Sequence, residues 1–146
     1  MRTAVVAVGT AAVVLSGCGS DSGSRLPAVA VTAVPNESVA ACERMHEALP
    51  KDLGKDLPRR ATTPDDVHVA AYGEPAVVIR CGAPRSATYV DQQLIDINGV
   101  DWFPEERGEV VVWSTPKAFV NVEVTVPRAW QGDRLAHLSD AVKKAG

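Results

Sequence analysis

Asn98-Gly99 constrains this chain more than any other pair of neighbours. Asn and Gly tolerate the left-handed backbone that both central positions of a type I′ turn require. The segment Leu94-Ile95-Asp96-Ile97-Asn98-Gly99-Val100-Asp101-Trp102-Phe103 is therefore predicted to close as a two-residue β-hairpin. Its register follows by counting: Ile97 opposes Val100, Asp96 opposes Asp101 and Ile95 opposes Trp102. Side chains alternate across a sheet, so Ile95, Ile97, Val100 and Trp102 fall on one apolar face while two carboxylates stand opposed on the other. Any fold for this chain must bury one face of that hairpin.

Further strands are predicted over Val67–Tyr72, Ala76–Cys81, Glu109–Thr115 and Ala118–Val126 from their alternation and from the turn residues between them. In the last, Val120, Val122, Val124 and Val126 point inward and Phe119, Asn121, Glu123 and Thr125 outward. A helix capped by Asn36 and running to about Leu49 carries Val39, Cys42, Met45, His46 and Leu49 on one stripe. Lys51 to Asp66, with Pro58 and Pro64, reads as a loop. A second helix from Asp133 places Leu135, Leu138, Ala141, Val142 and Ala145 on its stripe, with Lys143 and Lys144 at the negative end of its dipole. The expected fold is α+β: one domain over residues 36–146, an antiparallel sheet of five to six strands, and the N- and C-terminal helices packed on one face.

The N-terminal quarter has a different character. Arg2 precedes Ala4 to Leu15, an apolar run too short to span hydrocarbon as a helix, which reads as a secretory signal over residues 1–17. It ends in Leu15-Ser16-Gly17-Cys18, which resembles the lipobox of bacterial lipoproteins and implies lipidation of Cys18. Two or three acyl chains hold a protein firmly where one holds it marginally. The expected location is thus the extracytoplasmic face of the cell membrane, with residues 18–35 as a flexible linker.

Removing Cys18 from the three cysteines leaves Cys42 and Cys81, which have a single possible pairing in an oxidising compartment. The competing reading is a metal site, because His46 lies one helical turn from Cys42 and Cys81 could complete a set.

Chemistry is sparse. No nucleophile elbow, zinc-protease, phosphate-loop or dithiol motif is present, so no cofactor, no metal and no catalytic residue is expected. A net charge of −3, from 15 Lys plus Arg and 18 Asp plus Glu, argues against a nucleic-acid partner. His46, His68 and His137 fall in regular elements and read as packing or surface residues. Arg59-Arg60 reads as solvated, or as a contact for an anionic headgroup or polymer. Asp96 facing Asp101 is the binding candidate. Like charges directly opposed cost stability unless a cation, a ligand or an arginine such as Arg80 or Arg107 offsets them. Trp102, Trp113 and Trp130 belong to the core or to a groove for a sugar or partner.

Three separated stretches also resemble an actinobacterial envelope family known only as domain of unknown function 3515. They are Ala70-Ala71-Tyr72-Gly73-Glu74-Pro75-Ala76-Val77-Val78-Ile79-Arg80-Cys81-Gly82-Ala83-Pro84, Asn98-Gly99-Val100-Asp101-Trp102, and Val122-Glu123-Val124-Thr125-Val126-Pro127. Tyr72 stands where that family is expected to carry Trp, and Lys117 where it is expected to carry Arg. The resemblance implies an exported, membrane-attached domain with one disulfide and transfers no activity. The expected role is a non-catalytic accessory module that meets an envelope protein partner, with the oligomeric state left open. The alternatives are a lipoprotein that binds a small ligand or glycan and, third, an envelope hydrolase using Asp96 and Asp101.

Overall fold

The computed structural model describes residues 26–35, 37–130 and 134–146. The stretch read as a signal (1–17), Cys18, the first part of the expected linker, Asn36 and Asp133 lie outside the described residues. In chain order the elements are β1 (Val29–Ala30), α1 (Val39–Ala48), β2 (Arg59–Arg60), β3 (Thr62–Thr63), β4 (Val69–Tyr72) and β5 (Val77–Cys81). They continue with β6 (Ile95–Ile97), β7 (Val100–Arg107), β8 (Val110–Ser114), β9 (Val122–Pro127) and α2 (Arg134–Ala145). Seven strands form one antiparallel sheet in the order β2-β4-β5-β9-β8-β7-β6.

The hairpin forms in the predicted register, Ile95 against Trp102, Asp96 against Asp101 and Ile97 against Val100. Asn98 and Gly99 take φ of 52° and 76°, and a Cβ at Gly99 would meet nothing within 4 Å, so glycine is there for the backbone and not for space. Val120, Val122, Val124 and Val126 are buried as expected, and so is the whole α2 stripe. One core unites them: Ala41, Cys42, Met45 and Leu49 from α1, the α2 stripe, and Tyr72, Ile79, Trp102, Val122 and Val124 from the sheet. Both helices therefore contribute to the layer on one side of the sheet, packed against each other as well as against the strands.

Four expectations need correction. The sheet has seven strands, not five to six, because the stretch read as a loop contributes β2 at the sheet edge, and its β3 pairs in parallel with β1. Two-residue strands of Arg-Arg and Thr-Thr carry no apolar alternation to betray them. Second, the region assigned to the linker is partly docked: β1 pairs with β3, and Val31 and Val34 bury with Val69 in a small second core on the far face of the sheet. Third, the last strand begins at Val122 and not at Ala118. The chain first turns, with the Ala118 N–H donating to the Thr115 carbonyl, and the Thr115 hydroxyl accepts from the Val122 N–H. Fourth, Cys42, Met45 and Leu49 of the α1 stripe are buried as expected, but Val39, the first helical residue, is exposed, and Ala41 is buried beside them instead.

The sheet edges are unequal. β6 covers only Val100 to Trp102 of β7, so Phe103 to Arg107 has β8 on one side and no strand on the other among the described residues. By the alternation of backbone groups, Pro104 falls on that open flank, a place where a residue lacking an N–H forfeits no ladder bond.

Candidate functional site

Cys42 and Cys81 are both fully buried and form a disulfide with Cα atoms 5.7 Å apart, tying α1 to β5. This overturns the metal alternative, since both sulfurs are engaged with each other. His46 faces elsewhere: its Nδ1 lies 3.2 Å from the Val67 carbonyl and its Nε2 lies 2.5 Å from Nη2 of Arg59. A carbonyl can only accept and a guanidinium can only donate, so Nδ1 carries the proton and the ring is neutral. Burial, then the neighbouring Arg59 charge, holds its pKa below the usual 6.5.

The sign of the consequence is fixed. The unfolded chain takes up a proton on His46 before the folded one, so the contribution is full above pH 6.5 and is lost as pH falls toward the lowered folded value. Urea midpoints measured from pH 8 to pH 5.5 should therefore fall more in the parent chain than in His46→Gln, whose side chain does not titrate.

Arg59 and Arg60 are absorbed by the fold and are not free to meet a polymer. Arg59 holds His46, and Arg60 pairs with Glu74 and donates to the carbonyls of Gly73 (2.9 Å) and Pro27 (2.6 Å). His68 is buried with its Nδ1 2.5 Å from Asp66 Oδ1, and His137 is exposed, in agreement with structural or surface roles. Tyr72, fully buried, donates its hydroxyl to the Pro50 carbonyl at 2.7 Å, and burial pushes its pKa up to about 12.

Asp96 and Asp101 stand opposed as counted, but the arginines expected to offset them are elsewhere. Arg80 pairs with its cross-strand neighbour Glu123 at 2.9 Å, and Arg107 reaches Glu105 at 3.3 Å. Asp96 is exposed and Asp101 half-buried, and both line a shallow cleft with Lys117, Lys143 and Phe119. Those lysines are themselves paired, Lys117 with Asp91 at 3.4 Å and Lys143 with Asp140 at 2.7 Å. Their exposure leaves the two carboxylates open to screening by solvent. Among the described residues no group of three or more His, Cys, Asp or Glu is placed to hold a metal ion.

The better-formed site lies on the helix-bearing face of the sheet, where α2 stops short of covering β7 and β8. A groove of about 350 Å³ remains, at the lower end of the range of small-molecule sites. Trp113, Val111 and Pro104 line it from the sheet, and Ile95 and Ile97 from the short β6. Trp130 lines it from the 3-10 turn Arg128–Trp130 that follows β9, Arg134 and Leu135 line it from the start of α2, and Arg128 and Glu106, paired with each other, supply its charged rim. Trp130 is fixed from two sides: its Nε1 donates to the Pro75 carbonyl at 2.6 Å, and the Arg134 guanidinium sits 6.0 Å from its ring. Trp102, by contrast, is wholly in the core, its Nε1 donating to the Ser139 hydroxyl at 3.2 Å. Counting tryptophans from the sequence named the right residue type. It missed Arg128, Arg134 and Ile95, whose convergence depends on where α2 begins.

The fold and site together define a disulfide-stapled α+β domain with an open aromatic groove. The chain belongs to the family described as Protein of unknown function (DUF3515), whose model matches residues 2–145. No curated protein and no solved structure matches the chain.

Proposed function

We propose that this chain is an exported lipoprotein, lipidated at Cys18 and held at the outer face of the cytoplasmic membrane, where it serves as a non-catalytic accessory module of the envelope. The lipobox-like Leu15-Ser16-Gly17-Cys18 supports the anchor. The open groove between β6 and the start of α2 carries the binding role: it is concave, aromatic and largely apolar, and its charged groups are arginines and one carboxylate and not a nucleophile with a base. That same groove favours the second reading, a lipoprotein that binds a ligand, over an envelope hydrolase built on Asp96 and Asp101.

The deciding experiment is in-cell cross-linking with mass spectrometry on the full chain and on Cys18→Ser, alongside incorporation of an alkyne-tagged palmitate. Label on the parent and none on Cys18→Ser is the expected result, with a stoichiometric envelope protein captured only by the anchored form. An unlabelled parent chain overturns the anchor. A hydrolytic phenotype lost in the Asp96→Asn, Asp101→Asn pair overturns the non-catalytic reading.

A further inference from the structure

The groove and the incoming N-terminal segment meet at one turn. Residues 73–76 join β4 to β5, and on one side of that turn Arg60 bridges Gly73 and Glu74 to the carbonyl of Pro27. On the other side the Pro75 carbonyl accepts from Trp130 in the groove wall. The antiparallel register places the end of β9 and the start of β8 at this same end of the sheet, Val110 pairing with Pro127. The first described residues of the tether and the groove mouth therefore lie at the same end of the domain. Pro27 stands only nine residues after Cys18, a span of at most about 30 Å when fully extended.

We propose that the groove is a binding site for one apolar chain of an anionic lipid, taken from the membrane that holds the protein. This rests on the anchored, ligand-binding reading above. Three observations carry it. The lining from Trp113, Ile95, Ile97 and Leu135 offers apolar contact and no array of polar groups such as a sugar would need. Among the described residues two guanidiniums, Arg128 and Arg134, stand against one carboxylate, Glu106, and leave the rim net positive, the complement of an acidic headgroup. The buried Nε of Arg134 has no partner among the described residues, and its donor is matched by a phosphate or carboxylate oxygen.

The test uses the full chain carrying its anchor, reconstituted in vesicles of phosphatidylglycerol or phosphatidylcholine with acyl chains brominated at mid-length, because bromine quenches indole on contact. The chain has three tryptophans, and Trp102, fully buried, is the internal reference. Brominated phosphatidylglycerol should quench Trp113 and Trp130 and spare Trp102, so the loss of emission disappears in the Trp113→Phe, Trp130→Phe double variant. Arg134→Gln and, separately, Arg128→Gln should each weaken the lipid about tenfold, as expected for one charge-assisted hydrogen bond. The near-UV signal of Trp102 verifies that each variant is folded.

Equal quenching by both lipids, with no effect of either arginine variant, overturns the headgroup assignment. Quenching of Cys18→Ser by free 9,10-dibromostearate, with none from vesicles, overturns the membrane source. No quenching in any arm overturns the site. A chain that takes no palmitate label yet is quenched by vesicles loses the anchor and keeps the groove, so the two failures are separable.

Discussion

Reducing the bridge between Cys42 and Cys81, or replacing both residues with alanine, should lower unfolding stability by about 4 kcal/mol, the chain-entropy value for a closed loop of this size. The loop spans 39 residues and contains all of the chain between the helix and the second long strand. Without the link, the unfolded chain regains the freedom of that whole segment. The native side suffers as well, since both sulfurs are fully buried beside Ala41, Met45 and Ile79, and the alanine pair removes atoms from that core. For a domain whose whole stability is on the order of 5–15 kcal/mol, such a loss is a large share. Urea unfolding with and without reductant measures it directly. A midpoint that does not move on reduction would mean that α1 is held by packing alone.

Trp102→Ala should cost about as much by a different route, about 3–5 kcal/mol. Trp102 is the largest fully buried side chain and lies where the hairpin, the sheet and α2 meet. Its indole N–H donates to Ser139, whose hydroxyl has the carbonyls of Ile97, at 2.8 Å, and Leu135, at 3.1 Å, within reach of its one proton. The truncation thus opens a cavity and also breaks the polar chain that ties the hairpin to the last helix. Ser139→Ala separates the two effects: it leaves the ring in place and strands a buried N–H, which should cost about 1–3 kcal/mol. Denaturant midpoints for the two variants test the ordering. Equal losses would mean that the hydrogen bond, and not the ring volume, dominates at this position.

What was legible in the sequence was local. Asn98-Gly99 specifies its own turn, and the hairpin register follows from it with no knowledge of the rest of the chain. The α2 stripe needs only the helical period, and all five of its residues are buried. The cysteine pair was legible by counting. What escaped was set by contacts between distant residues. Val29 to Val34 looks like tether until Val69 and Val78 are known to offer them a surface. Arg59 and Arg60 look solvated until the sheet brings His46, Glu74 and Pro27 to them. The opposed aspartates were placed correctly and the arginines assigned to them were not, because Arg80 and Arg107 have carboxylates of their own in Glu123 and Glu105. The groove is the extreme case, since its wall depends on Trp130 reaching Pro75, 55 positions away in the chain.

Pro104, on the flank of β7 that β6 leaves bare, bears on how copies of this protein behave when crowded together. A bare strand edge invites the same edge of a neighbouring molecule, and a run of such pairings grows into a fibre. At Pro104 an incoming strand finds a ring where it needs a donor, and two positions on it meets the exposed charge of Glu106. The ladder is interrupted within its first few rungs. Replacing that one imino acid with a β-branched residue such as valine should open this flank to pairing with another copy.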